Sequence, residues 1–483
     1  MKLSIVQRIL GILLMVFSVS MLPPAGVAWY YADSGIKPFL FAFTILAVAG
    51  LVLFFPVRQR QRDLRLREGF IVVALFWIVL GLAGAIPLVI SDYPHLSITN
   101  AVFESVSGLT TTGATVMTGL DSLPRSILYY RQQLQWLGGM GIIVLAVAIL
   151  PMLGIGGMQL YRAETPGPMK DSKITPRITE TAKALWYVYL GMTIACSLAY
   201  FAMGMDWFDA ISHSFSTVAI GGFSTHDLSI GHFNSAAIEM VAVVFMLLAG
   251  VNFALHYIAL QRGSMKPYLH DPEFRAYIKT LIALTTIVVV YLMLAHEFEG
   301  IGQTFIKGLF QVVSIATTTG FTTADYAHWP GFLPVLLIFA SFMGACAGST
   351  GGGMKVIRFL LLYKQGVREI IRLVHPSAQM PVKMGHKAVD NRVIQSVWAF
   401  FFMYMAVFGV AMLSIMMTGV DQVTAFSAVA ACLNNLGPGL GEVAANYGDI
   451  NDAAKWVLLF VMILGRLEIF TLLVLFTPTF WKR

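Results

Sequence analysis

Four short stretches carry the residue types in this chain that could do chemistry. Read back from a final glycine they are SGLTTTG (107–113), STVAIGG (216–222), SIATTTG (314–320) and ACLNNLG (431–437). Their glycines, Gly113, Gly222, Gly320 and Gly437, are spaced by 109, 98 and 117 residues, so one unit recurs along the chain. Placed round a single axis, the carbonyl oxygens of such loops can replace the hydration shell of a dehydrated cation. Glycine supports that role because it lacks a Cβ and accepts backbone angles other residues resist. The candidate ligands are the backbone carbonyls of Thr111, Thr112, Ile220, Gly221, Thr318, Thr319, Asn435 and Leu436. Thr110, Gly113, Gly222, Gly320 and Gly437 complete the loops, and the threonine hydroxyls can add ligands or brace them.

The elements that must position these loops follow from composition. Hydrophobic residues make up 57% of the 483 and charged residues 12%, against roughly 25% charged in soluble domains. Apolar stretches long enough to cross a bilayer recur near 8–30, 38–57, 69–91, 127–153, 184–204, 236–260, 276–295, 331–361, 393–418 and 453–479. An all-α integral membrane protein of ten transmembrane helices is therefore expected. Each glycine loop follows an apolar stretch too short to span, so the repeating unit reads as spanning helix, half-helix, loop, spanning helix. Irregular backbone at membrane depth must be buried in protein or lined by water, and four such loops share one solution if they surround one pore. Each half-helix then points its C-terminal, partly negative end at the ion. Asp209 and Asp421 lie near the starts of the second and fourth half-helices, where a carboxylate is favourable. Two peripheral helices (1–68) precede units at 69–183, 184–273, 274–392 and 393–483.

Charge placement gives the orientation. Of the 32 Lys and Arg residues, 26 fall in alternate loops and at the two ends of the chain, which places both termini in the cytoplasm. The exceptions are Lys37, Arg125, Arg131, Lys307, Lys455 and Arg466. The net charge of +7 reflects this topology rather than nucleic-acid binding. The first segment also fits a cleaved leader, with Lys2 and Arg8 before the apolar run Ile9 to Val19 and Ala28 at a cleavage position. Cys196, Cys346 and Cys432 lie in apolar segments and form no metal or redox motif.

The stretches SVSGLTTTGAT, STVAIGGFST, VVSIATTTGFTT and ACLNNLGPGLG, followed in their units by MGACAGSTGGGMKVIRF and GRLEIF, resemble the Trk/Ktr superfamily of potassium transporters over essentially the whole chain. The resemblance implies potassium as the ion, uptake across a bacterial inner membrane, a homodimer, and gating by a cytosolic ring-forming subunit that carries the nucleotide-binding domains. No organic cofactor is expected in this chain. The loops differ among themselves, with Ala219 and Ile220 where Thr110 and Thr111 stand and Asn434 and Asn435 in place of two threonines, so only modest preference for potassium over sodium is expected. Pro438 restricts the backbone of Gly437, which makes the fourth loop the least tolerant of change.

Two further features read as a gate. GACAGSTGGG (344–353), with Gly344, Gly348, Gly351, Gly352 and Gly353, interrupts an apolar segment and cannot hold helix well, as each glycine costs roughly 1 kcal/mol relative to alanine. A flexible intramembrane loop under the filter is the expectation, with close packing through small residues as the alternative. Arg466 is a lone cation within the last apolar segment, where it needs protein or water around it. Below the filter it would repel a passing cation and latch the 344–353 loop; a structural pair with Glu468 is the other reading. The loops 158–183 and 363–392 offer docking surfaces for the cytosolic subunit, VREIIRLV in the second reading as an amphipathic helix. A proton- or sodium-coupled symporter would want a titrating intramembrane carboxylate, for which Glu104 is the candidate. No metalloenzyme motif is present, and enzymatic function is not expected.

Overall fold

The computed structural model describes residues 3–59, 66–141, 178–378, 380–385 and 387–482. The loop 158–177, residues 142–153 of the apolar segment 127–153, and Arg60, Arg62, Arg65, Arg162, Lys170, Lys173 and Arg177 lie outside them. The regular elements among the described residues are helices apart from one pair of two-residue strands, Lys383–Met384 antiparallel to Lys387–Ala388.

Among the described residues six helical stretches are long and apolar enough to cross a membrane: Ser4–Tyr31, Ile36–Val57, Arg67–Ile90, Lys183–Ala202, Pro272–Leu294 and Asn391–Met416. Two bent pairs bring the number to eight if each is one span. Continuous runs of apolar residues explain these helices, because in hydrocarbon every backbone polar group must be satisfied within the segment. Their outward faces are apolar, as with Leu40, Phe41, Ile45, Val48 and Val52 on Ile36–Phe54. The centre is the polar part, with Thr110, Thr111, Thr112, Thr317, Thr318, Thr319, Asn434 and Asn435 all buried. That is the reverse of a soluble domain and suits a lipid-facing exterior.

The first and third of the chain's helices, Leu3–Val19 and Ile36–Phe54, cross where Gly11 meets Gly50; a methyl on either would stand 2.8 Å from the other's carbonyl oxygen. Absence of a side chain at both positions lets the backbones approach, as small residues do in membranes. Asp33 holds this pair to the body by accepting from the Ser126 amide (2.9 Å) and hydroxyl (2.8 Å).

Four shorter helices, Ile98–Leu109, Trp207–Ala219, Ile301–Ala316 and Gln422–Asn434, fall where the sequence has apolar stretches too short to span. Ser97, Asp206 and Asp421 cap the first, second and fourth through side-chain oxygens, and Gly300 precedes the third without a side-chain cap. At the second half-helix Asp206 is the cap, and Asp209 lies in the first turn, near the start as the sequence places it.

The helices that follow the loops are interrupted, at 344–353 where the sequence reads as broken and at three further places where it reads as continuous. Leu137–Gly141 forms a π-helical turn, and Ala236–Ala249 and Phe253–Arg262 meet at 94°. Leu333–Met343 ends at Gly344, and Val356–Val374 resumes only after the glycine-rich loop. Asp452–Arg466 and Phe470–Phe476 meet at 106°, so Arg466 sits at a helix end rather than in mid-helix. The physical reason is crowding: a methyl on Gly138 would stand 1.7 Å from the Leu109 carbonyl oxygen and one on Gly465 2.2 Å from that of Leu433. The inner ends of these helices turn where half-helix termini occupy their path.

Candidate functional site

All four half-helices end the same way. The N–H groups of Thr112, Gly221, Thr319 and Leu436 donate to the carbonyls of Ser107, Ser216, Ser314 and Ala431, each at 2.8 Å. One residue earlier, Thr111, Ile220, Thr318 and Asn435 donate to Gly108, Thr217, Ile315 and Cys432 at 3.0 to 3.3 Å. This pair of bonds is the Schellman motif, and it requires a left-handed residue at the position after the cap. Those residues are Thr111 (φ 56°), Ile220 (φ 54°), Thr318 (φ 71°) and Asn435 (φ 54°). Glycine is the usual occupant, and a β-branched residue there is strained.

Two residues on, the glycines also have positive φ, between 78° and 95°. They stand in a closed cyclic order. A methyl on Gly113 would meet the Gly221 carbonyl oxygen at 2.1 Å, one on Gly222 that of Thr319 at 2.0 Å, one on Gly320 that of Leu436 at 2.1 Å, and one on Gly437 that of Thr112 at 2.8 Å. Each loop thus abuts the next, and the fourth returns to the first. The Gly437 contact is the loosest of the four.

The threonine hydroxyls brace. Thr110 donates to the Val106 carbonyl and Thr317 to that of Val313, both at 2.7 Å, and these hydroxyls also bond those of Thr112 and Thr319 at 2.7 and 2.8 Å. Asn435 donates to the Thr112 hydroxyl at 2.9 Å and the Met462 carbonyl at 3.1 Å. The Gly221 carbonyl is already engaged by Gln135 Nε2 at 2.6 Å, which leaves it one lone pair. Tyr447 donates to the Gly437 carbonyl at 2.7 Å. Asp421, outside the spanning segments, has its carboxyl held below the usual carboxylate range by the hydroxyl and amide of Thr424.

The glycine-rich loop lies against the inner side of this ring. The Thr350 hydroxyl donates to the Val218 carbonyl (2.9 Å), the Gly352 amide to the Thr318 hydroxyl (2.7 Å) and the Gly353 amide to the Asn434 carbonyl (3.0 Å). Gly351 packs against the Thr317 carbonyl and the end of Ile220, while Gly344 backs onto Gly352. Gly348 accepts from the Phe253 amide at 3.0 Å. The loop is tied at several points rather than hanging free. Arg466 donates to the Thr111 hydroxyl at 3.1 Å, the Thr350 carbonyl at 3.3 Å and the Gly139 carbonyl at 2.9 Å, and also bonds the Gly138 carbonyl. Glu468 pairs instead with Arg358.

Several buried groups around the ring, Glu104 apart, carry no role in the reading of the sequence. Arg131 pairs with Glu104 at 2.7 Å and reaches the Ser224 carbonyl at 3.0 Å, tying the first loop to the second. Glu104 also accepts from the Val116 amide at 2.9 Å and the Thr115 hydroxyl at 2.9 Å. Lys307 pairs with Glu239 at 2.6 Å, and Lys455 donates to Asn100 and the Gly448 carbonyl at 2.9 Å. These cations were visible as exceptions to the charge alternation, and that surplus was the available signal.

A family model described as a cation transport protein, TrkH, matches residues 36–483. The chain is 59% identical over its full length to the Trk system potassium uptake protein TrkH of Vibrio parahaemolyticus, covering all of that protein. It is 55% identical to the Escherichia coli protein of the same name over 99% of both chains. The crystal structure of the potassium transporter TrkH from Vibrio parahaemolyticus superposes with a TM-score of 0.91 at 56% identity, covering 100% of each chain. These relatives are transport proteins and not enzymes. On family match, identity over the full length and fold together, the chain belongs to the TrkH family of cation transport proteins.

Proposed function

We propose that this chain is the membrane subunit of a bacterial potassium-uptake system, a channel-like pathway through four pseudo-equivalent units. The observation that carries the reading is the closed cyclic order of the four glycines, each against the next loop's carbonyl. Carbonyls gathered this way offer a dehydrated cation its coordination, and four half-helices ending at the same ring add partial negative charge. The ligand carbonyls are those of Thr111, Thr112, Ile220, Gly221, Thr318, Thr319, Asn435 and Leu436, with Gly221 the most compromised because Gln135 also uses it.

The gate is the 344–353 loop together with Arg466. A guanidinium spanning Thr111, Thr350 and the Gly138 and Gly139 carbonyls places a positive charge under the ring and ties the loop to the first unit. That arrangement repels a passing cation and reads as closed. The protein works in the inner membrane with ten spans and both termini cytoplasmic, as a homodimer. The relatives are named as components of a Trk system, and a cytosolic ring-forming, nucleotide-binding subunit docking on the two long cytoplasmic loops would move the gate. The apolar Val367, Ile370, Ile371, Leu373 and Val374 left exposed on Val356–Val374 support such a docking face. The coupled-symporter reading loses its candidate carboxylate, since Glu104 is committed to Arg131 and the first loop.

The test uses purified protein in potassium-loaded vesicles. Uptake of a rubidium tracer driven by the outward potassium gradient, independent of an imposed pH or sodium gradient, with discrete single-channel openings, is the expected result. Flux that appears only with a proton or sodium gradient would overturn the channel reading.

A further inference from the structure

One cluster of side chains lies apart from the contacts among the glycine loops, the 344–353 loop and Arg466 described above. Asp121 sits in the short turn Leu120–Ser122 after the first glycine loop, His226 follows the second loop, and His232 lies in the turn Ser229–Phe233. Their ligand atoms all lie within 4.8 Å of one another, the one such group among the described residues. His226 Nδ1 contacts Asp121 Oδ1, and His232 Nδ1 lies 3.9 Å from the same oxygen. The two imidazoles stack face to face, with centroids 3.5 Å apart and planes within 4°. The other nitrogen of His226, Nε2, is 3.1 Å from Asp209 Oδ2, and Asp209 is itself fixed by the Thr225 hydroxyl at 2.7 Å.

The hydrogen-bonding roles leave a gap. An ionised carboxylate only accepts, so facing Asp209 the His226 ring presents its Nε2–H. In the neutral ring the Nδ1 lone pair then points at Asp121, another acceptor, with His232 Nδ1 close by. Two acceptors in contact require a positive charge there, supplied either by a second ring proton or, with the Asp121 carboxylate drawn back, by a metal cation. A carboxylate that holds the far nitrogen of an imidazole is also the arrangement that orients histidine towards a metal. Two imidazole nitrogens and one carboxylate oxygen suit a borderline divalent transition metal rather than an alkali ion, and the open side leaves room for water as a fourth ligand. Asp121 and His232 are exposed at 51% and 42%, while His226 and Asp209 are mostly buried at 18% and 14%, so the cluster has a fixed wall and a solvent face.

We propose that Asp121, His226 and His232 form a binding site for a divalent transition metal of the zinc class, with Asp209 as the residue that positions His226. Small adjustment of the exposed His232 ring turns its Nδ1 towards the ion and relieves the stack. A bound ion fastens the outer loop of the first unit to that of the second, on the side opposite the glycine-rich loop.

The experiment uses the full chain in detergent with its affinity tag removed. Cobalt(II) is titrated as a spectroscopic probe, and zinc(II) is used to displace it. One cobalt per chain is expected, with visible bands lost on zinc addition. His232→Gln, at an exposed position, should lower affinity at least about tenfold, and Asp209→Asn about 10- to 100-fold although it touches no metal. Rubidium flux in vesicles checks that each variant is folded. No binding by wild type, or equal binding by wild type and a folded Asp121→Asn/His232→Gln double variant, would overturn the proposal and leave the cluster a clasp closed by a proton.

Discussion

Adding one methyl group to each glycine of the ring in turn separates backbone strain from displacement of the facing carbonyl. All four have φ between 78° and 95°, so each alanine carries a similar left-handed penalty of about 1–2 kcal/mol. What differs is the space. To reach a 3.0 Å contact, the carbonyl facing Gly113, Gly222 or Gly320 must retreat by about 0.9 to 1.0 Å, and that facing Gly437 by about 0.2 Å. Gly320 has a second obstacle in Pro438, whose Cδ would be 2.8 Å away. If those carbonyls coordinate the ion, moving one by an ångström spoils their field at the ion, while 0.2 Å is within ordinary relaxation. Gly113→Ala, Gly222→Ala and Gly320→Ala should lose most discrimination between potassium and sodium, with Gly320→Ala the most severe, and Gly437→Ala should keep most of it. The assay is tracer flux in vesicles under matched potassium and sodium gradients, with thermal unfolding in parallel to show that strain is shared. A Gly437→Ala variant as poor as the others, or a Gly113→Ala variant with wild-type selectivity, would refute the reasoning.

Arg466→Ala removes a charged hydrogen bond to the Thr350 carbonyl, worth about 1.5–3 kcal/mol, so partner-free flux should rise roughly 10-fold or more; Arg466→Lys should restore part of the barrier, and loss of flux in folded Arg466→Ala protein would contradict the latch. Deleting Gly351 to Gly353 removes the contacts to Thr318 and Asn434 and should raise flux in the same recording. Glu104→Gln leaves Arg131 buried without its charge partner, a change that costs about 3–5 kcal/mol, so unfolding in detergent should occur at clearly lower temperature. Charged residues at Ile370 and Ile371, both exposed on Val356–Val374, should abolish co-purification with a cytosolic subunit while leaving membrane-core melting unchanged.

The parts of the fold legible in the sequence are those where one physical rule acts alone. Uninterrupted apolar runs give Ile36–Val57, Pro272–Leu294 and Asn391–Met416 directly. Recurring glycines in polar surroundings give the four half-helices. The breaks were legible only at 344–353, where glycines are dense. At 467–469 the residues are Leu, Glu and Ile, which favour helix, yet Glu468 and Ile469 have φ of 50° and 59°. Tertiary partners impose that turn: Arg358 takes the Glu468 carboxylate and Gly465 meets the Leu433 carbonyl. Local propensity carries no trace of either. The same holds at Thr111, Ile220 and Thr318, where a left-handed backbone opposes β-branched preference. In the candidate site the glycines were readable as a pattern, but their cyclic order and the bracing by Gln135 and Tyr447 come from long-range contacts.

The Schellman ends of the half-helices share one backbone but carry four different duties below it. Thr111 meets Arg466, Ile220 packs on Gly351, Thr318 takes the Gly352 amide, and Asn435 reaches Thr112 and Met462. Duplication of an ancestral segment would thus have left the main chain under one common constraint, while single substitutions at these left-handed positions specialised each quarter. If the 344–353 loop and Arg466 are the gate, the barrier under a nearly fourfold ring is lopsided: its loop enters from the third quarter and its cation from the fourth. It should swing like a trapdoor hinged on one side, and not dilate like an iris.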